Sequence, residues 1–295
     1  MARTITNIAT LNYRSGEDRQ TSVSNVAQAC LEETIRLTKT AYEESYRPGD
    51  TLTYILQIIS EEENPTALTV EDDLGSYSEN GQVYTPLSYE SYLLFVGQQE
   101  NAAVGGVSVT VTEKTNGVRF DFGNIPTPFP GLTLIYKVRV NEFSPVYEEG
   151  TVIRNTARLL SGEELLSSDS AFVTAEAFAS VRIIKSITPD PIRTGEEVLY
   201  TIVLCNDGTV SPTDVTLRDA FLPRLQIPLA VTVDGADVDR FDYDPIGGEF
   251  VLGSDATEAY ELQIPPASWE RDAVTGEVQI IPGKTVVTVR GRIVL

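Results

Sequence analysis

The chain has 295 residues, 41% of them hydrophobic and 22% charged, enough apolar material for two domains with cores of their own. Its 43 acidic residues against 22 basic ones give a net charge of -21, which disfavours nucleic acid and anionic lipid as partners. Histidine is absent, so the usual general base of hydrolases and the commonest transition-metal ligand are missing; neither a metal nor a cofactor is expected.

Two cysteines, Cys30 and Cys205, cannot make a disulfide framework; one bond between subunits or two free thiols are the choices. Alternation on the Tyr200–Leu204 strand sets Cys205 outward. The first residues lack a basic stretch followed by an apolar one, and no run approaches the ~18 apolar residues of a membrane span. No export signal and no membrane insertion are therefore expected.

Residues 1–30 read as an arm. It holds the stretch Ile5-Thr6-Asn7-Ile8-Ala9-Thr10-Leu11, a polar turn and a Ser/Ala/Val segment reaching Cys30. Ile5, Asn7, Ala9 and Leu11 alternate, the period of a strand with one buried face. From residue 31 onward, short alternating segments rich in Val, Ile, Thr and Tyr are broken by Pro-Gly and Asn-Gly turns, the pattern of an all-β chain of Ig-like β-sandwich domains.

In domain 1 (residues 31–166) the pattern predicts seven strands: Ile35–Ala41, Thr51–Ile59, Leu68–Leu74, Val107–Thr112, Val118–Phe122, Thr133–Val140 and Val152–Leu160. Tyr77, Tyr84, Tyr89, Tyr92 and Phe95 fall in a long insert, a packed loop or a surface for a carbohydrate or protein ligand. Residues 167–180 read as a linker, and 181–295 as domain 2.

Domain 2 repeats domain 1. Lys39 recurs as Lys185 and Tyr54 as Tyr200, offset by 146; Asp72 recurs as Asp219, offset by 147; Pro130-Gly131 recurs as Pro282-Gly283, offset by 152. The segment Ile153-Arg154-Asn155-Thr156-Ala157-Arg158-Leu159 has no counterpart downstream, since Leu295 falls opposite Phe143. Its near copy is the arm, Ile5 to Leu11. The expectation is a domain 2 without its last strand and an arm that supplies one.

A sandwich short of a strand exposes apolar core and unpaired backbone, a template for another chain. Insertion of the arm into domain 2 of the next copy is donor-strand complementation, and a head-to-tail contact that does not close generates a filament. Self-assembly is thus the partner reading. The rivals are a disordered arm on a truncated domain, and a monomeric adhesin or ligand-binding module. An enzyme is disfavoured, because no nucleophile-base pair, phosphate loop or metal motif is visible.

Lys39, Asp72 and Asn155 each alternate with apolar neighbours, so all three are expected to be buried and to meet. Burial lowers a lysine pKa and raises an aspartate pKa. A neutral Lys39 amine beside an Asn155 amide polarised by protonated Asp72 permits attack on the amide carbon, release of ammonia and an isopeptide bond. A hydrogen-bonded trio with no bond is the other outcome. Lys185 and Asp219 repeat the pair, and Asn7 of a neighbouring copy would be the third member there; Gly291 stands near the end of domain 2, which has no Asn-Thr-Ala strand.

Asp234, Asp237, Asp239, Asp242 and Asp244 crowd one loop without the spacing of a calcium loop, so a solvated acidic surface is the simpler reading.

The runs Lys39-Thr40, Pro48-Gly49-Asp50-Thr51-Leu52-Thr53-Tyr54, Val70-Glu71-Asp72-Asp73-Leu74 and Asn155-Thr156-Ala157 resemble the Ig-like conserved-repeat domain of bacterial surface proteins, related to isopeptide-forming fimbrial domains. The resemblance covers nearly the whole chain. It implies an extracellular structural module in which the matching Lys and Asn are bonded and the Asp promotes the reaction. Some such repeat proteins are similar to subunits of endospore appendages, made without secretion signals.

Overall fold

A computed structural model describes residues 3–15, 17–31, 35–60, 67–100, 106–193 and 195–294. No helix in it is long and apolar enough to cross a membrane. The described residues form an all-β protein in two compact units. The first comprises Met1–Glu44, Asp50–Val140 and Arg154–Val173, and the second Ser45–Gly49, Asn141–Ile153 and Thr174–Leu295.

The first unit opens with β1 (Arg3–Asn7), β2 (Thr10–Ser15), β3 (Asp18–Val23) and β4 (Ala27–Leu31). Among the described residues they pair only with one another, as a long hairpin. β1 runs antiparallel to β4 with Asn7 opposite Ala27, and β2 to β3 with Leu11 opposite Ser22. The arm is therefore not a lone strand: the polar turn after Ser15 brings the Ser/Ala/Val segment back alongside it.

The sandwich of this unit follows. β5 (Ile35–Ala41), β6 (Thr51–Ser60), β8 (Leu87–Val96) and β11 (Leu132–Val140) form one sheet in the order β8-β11-β6-β5, with Gln99–Glu100 at its outer edge. β7 (Leu68–Asp72), β9 (Ser108–Lys114), β10 (Gly117–Gly123), β12 (Val152–Ser161) and β13 (Glu164–Ala175) form the other, ordered β9-β10-β7-β12-β13. Strict alternation explains the core. Leu52, Tyr54, Leu56 and Ile58 of β6 and Leu132, Leu134, Tyr136 and Val138 of β11 are buried while the residues between them are not.

All seven expected strands are present, within a residue or two at their ends. Two further long strands were read otherwise. The aromatic insert contains β8, whose Tyr89 and Tyr92 pack edge-on against Phe120. Residues 167–180, expected as a linker, begin inside a strand: Glu164–Ala175 is β13. Ser167, Ala171 and Val173 turn inward along it, and its Ser-rich composition hid that alternation.

In the second unit, β14 (Val181–Thr188), β15 (Glu197–Asn206), β17 (Arg224–Val233) and β19 (Gly283–Val294) form a sheet ordered β14-β15-β19-β17, continued by Ala236–Val238. β16 (Thr216–Ala220) and β18 (Glu249–Gly253) form the second sheet with Asp242–Tyr243, ordered β16-β18 and then that short strand.

Inward residues of β11 and β19 correct the repeat. Leu132, Leu134, Tyr136, Val138 and Val140 correspond to Thr285, Val287, Val289, Gly291 and Ile293, an offset of 153 and not 152. Tyr136 faces Tyr54 across the strands as Val289 faces Tyr200. A one-residue slip puts every side chain on the wrong face, so the Pro-Gly match alone misplaced the strand. Gly291 keeps its place because Leu225 and Leu229 occupy the space a Cβ would need.

Cys205 is buried, against the outward setting expected from alternation. It stands where β15 ends at Asn206, whose side chain bonds Ser180, Gly208, Val210 and Pro265 and draws the neighbouring loops over the strand end.

Candidate functional site

Lys39, Asp72 and Asn155 come together inside the first unit. β5 presents Lys39 after Ile35 and Leu37, β7 ends on Asp72, and β12 carries Asn155 between Ile153 and Ala157; all three are buried. The Lys39 Nζ lies 2.6 Å from Asp72 Oδ2, with both side chains fully shielded from solvent. Asp72 Oδ1 accepts the Leu74 N–H at 3.0 Å.

A fourth residue, Tyr136 of β11, completes the cluster. Its hydroxyl donates to Asp72 Oδ2 at 2.6 Å and accepts from Asn155 Nδ2 at 3.2 Å, so it links the carboxylate to the amide. The Asn155 Oδ1 is buried and accepts no hydrogen bond among the described residues. An unsatisfied buried carbonyl is costly in a folded core. It is also an oxygen available to a proton donor.

Electrostatics favour a reactive amine. Burial lowers the Lys39 pKa below the ordinary 10.5, although Asp72 pulls the other way. Burial likewise pushes the Tyr136 and Tyr54 phenols up, with the Asp72 charge adding to it, so both stay protonated. Tyr54 stacks on Tyr136 at 5.6 Å, and the Lys39 Nζ sits 4.9 Å from the Tyr54 ring centre. Aromatic walls exclude water from the amine.

Asp73 fixes the strand that carries Asn155. Its Oδ1 accepts the Thr156 N–H at 2.8 Å and the Gly75 N–H at 2.9 Å, and its own N–H bonds Thr156 O. Gly117 allows β10 to pass directly over the Asp72 carbonyl, where any Cβ would clash. Sequence reasoning missed Tyr136 and Asp73. The inward alternation of Leu134, Tyr136 and Val138 could have found the tyrosine; an acidic residue just past a strand end carries no comparable signal.

Tyr136→Phe separates positioning from folding. The phenyl ring keeps the stack on Tyr54, but Asp72 and Asn155 lose their link. A buried hydrogen bond to a charged group is worth about 1.5–3 kcal/mol, so any chemistry at Asn155 should slow by roughly 10- to 100-fold. Intact-mass spectra against time after refolding measure it, with circular dichroism as the check on the fold.

The second unit repeats part of the site. Lys185 Nζ lies 2.6 Å from Asp219 Oδ2 and 4.8 and 5.2 Å from the ring centres of Tyr200 and Phe221. Val289 replaces Tyr136 and Ala220 replaces Asp73. The Lys185 side chain is 38% exposed where that of Lys39 is wholly covered. No asparagine joins this pair among the described residues. Asn7, Ala9 and Leu11 are exposed on the hairpin, and the side chains of Ile5 and Cys30 lie outside the described residues.

The remaining candidates assemble nothing further. Among the described residues no group of three or more His, Cys, Asp or Glu side chains could hold a metal ion. In the acidic loop, Asp242 bonds Thr257, while Asp244 bonds the N–H groups of Ile246 and Gly247 and Asp234 that of Val286. These carboxylates tie turns together.

No family model matches the chain, and no curated protein matches it. Solved structures similar to it include BcpA, the major pilin subunit of Bacillus cereus, at 14% identity over 85% of this chain and 66% of that one, with a TM-score of 0.34. A 35 kDa C-terminal fragment of the major pilin GBS80 of Streptococcus agalactiae is similar at 14% identity over 85% of this chain and 91% of that one, TM-score 0.34. The collagen adhesin of S. aureus is similar at 10% identity over 53% and 55%, TM-score 0.31. At such scores these likenesses carry no argument about what the chain does.

Proposed function

We propose that the chain is the structural subunit of an extracellular bacterial surface filament, which polymerises head to tail by inserting the N-terminal β1–β2 segment of one copy into domain 2 of the next. The surface of an endospore is the setting the family resemblance implies. One observation carries the assembly reading. Ile35, Leu37 and Lys39 on β5 are 6%, 2% and 3% exposed, whereas Val181 and Ile183 at the matching positions of β14 are 42% and 61% exposed. The same strand is core in one domain and bare in the other.

Leaving such a face in water forgoes about 1.5–3 kcal/mol for each large apolar side chain that could be buried. The missing cover in domain 2 corresponds to β12, and Ile5, Asn7, Ala9 and Leu11 repeat the inward residues Ile153, Asn155, Ala157 and Leu159. Deleting residues 1–12 should abolish filaments while the sandwich of domain 1 still folds, seen by electron microscopy and circular dichroism. Filaments that persist without residues 1–12 rule out this donor.

The second part of the proposal is chemical. The Lys39 amine attacks the Asn155 amide carbon, the Asn155 nitrogen leaves as ammonia, and Asp72 passes the protons, so each subunit locks β5 to β12 once. Lys185 and Asp219 would do the same with Asn7 of the incoming copy. This is a single-turnover reaction, not enzyme activity. The attacking amine must be neutral, so bond formation should accelerate as pH rises and level off below the 10.5 of an ordinary lysine. Mass spectra of protein refolded across that range test it; a rate still climbing at the ordinary lysine pKa speaks against a buried amine as nucleophile.

A further inference from the structure

The element covering β5 in the first unit is not one strand but two. β7 is paired on both sides, by β10 and β12, and β13 lies outside β12. β13 also caps the free edge of β5: Ser167 Oγ accepts the Leu37 N–H at 3.1 Å and Asp169 Oδ2 the Lys39 N–H at 2.8 Å. In the second unit β16 is paired by β18 alone among the described residues, and β14 is exposed along almost its whole length. Among the described residues that face has two strands fewer than its counterpart in the first unit.

We propose that the whole hairpin β1–β4, already folded, is the donor: it seats on domain 2 of a second copy as a two-stranded unit. β1–β2 would run beside β16 as β12 runs beside β7, and β3–β4 would cover β14 as β13 covers β5. This rests on the donor reading above and specifies its form.

The hairpin carries the side chains the site lacks, in two cross-strand pairs. Residues directly opposite in an antiparallel pair share a face. Asn7 stands opposite Ala27, and Leu11 opposite Ser22. That set matches the inward face of β12 and β13, where Asn155 and Leu159 are buried with Ala171, Val173 and Ser167. Ser22 offers a hydroxyl of the kind that Ser167 gives to Leu37; its counterpart amide in domain 2 is that of Ile183. A single strand would supply Asn7 and Leu11 but leave the β14 edge uncapped.

The occupant is a second copy. Every described side chain of the hairpin is exposed, Leu11 at 62%, and so are Val181 and Ile183, so each surface is open to a partner. Charge agrees. The hairpin has Arg3, Arg14 and Arg19 against Glu17 and Asp18 in a chain of net charge -21, so it is a cationic segment approaching an acidic protein.

Full-length Leu11→Arg, Ala27→Arg and Gln28→Arg test this. Leu11 and Ala27 belong to the proposed buried face, one on each half of the hairpin, and Gln28 to the opposite face. Sedimentation and electron microscopy should show assembly lost in the first two and kept in the third. Hydrogen exchange at Ile183 and Lys185 should slow at least tenfold in assembled wild-type protein. If Leu11→Arg blocks assembly, Ala27→Arg does not, and the β14 amides stay unprotected, a single strand is the donor and the hairpin inference is overturned while the donor reading survives. A closed dimer with protected β14 amides supports the hairpin and overturns the filament. Wild-type protein that stays monomeric overturns both.

Discussion

Asn155→Ala should raise the mass of the subunit to its full sequence value and lower its melting temperature by roughly 15 °C. If the proposed bond forms, the unmodified protein is lighter by about 17 Da, the ammonia lost when an amine displaces an amide. The thermal effect follows from the loop that the bond closes. A cross-link from Lys39 to Asn155 constrains a loop of roughly 100 residues, for which chain entropy gives about 5 kcal/mol. Lys39→Ala should do the same to the mass and cost more stability, because it leaves Asp72 buried without its cation, a change worth about 3–5 kcal/mol. Unmodified protein at its full sequence mass would leave a hydrogen-bonded cluster and no bond.

Asn7→Ala should convert SDS-resistant oligomers into monomers on a denaturing gel while filaments still form. The side chain is small and its removal leaves the ladder of backbone hydrogen bonds intact, so assembly should weaken by about 1 kcal/mol or less per contact. Covalent continuity would be lost entirely. The junction lacks the hydroxyl of Tyr136, since Val289 stands in its place, so cross-linking between copies should be slower than bond formation within domain 1. Polymers that are wholly SDS-labile in the unmodified protein would remove the covalent junction from the account and leave insertion standing.

How much of this was legible in the residues depends on the period of each signal. The apolar alternation of Leu52 to Ile58 and Leu132 to Val140 is strict and placed both strands, and the same alternation around Lys39, Asp72 and Asn155 on their own strands placed those three as buried. β13 was not legible, because serines and an aspartate occupy its inward and outward positions alike; what makes Ser167 and Asp169 inward is a partner, the edge of β5, far away in sequence. The same blindness made the arm look like one strand. The repeat showed the likeness of Ile5–Leu11 to Ile153–Leu159, but pairing of β1 with β4 depends on a turn whose length no apolar pattern records.

Tyr136 was missed for a different reason. Its inward setting was readable, but a tyrosine in a core is ordinary, and only the 2.6 Å contact with Asp72 gives it a role. The offset of 152 for the last strand shows the opposite hazard. A convincing local match at Pro-Gly was one residue from the correspondence that side-chain facing requires.

The central claim is that one copy supplies what domain 2 of another lacks. Electron microscopy of the purified full-length protein tests it most directly, at a resolution that shows what covers β14 and β16. The expected result is long unbranched filaments with the hairpin of each copy seated on that face of its neighbour. Uniform monomers, or filaments in which β14 remains bare, would contradict it.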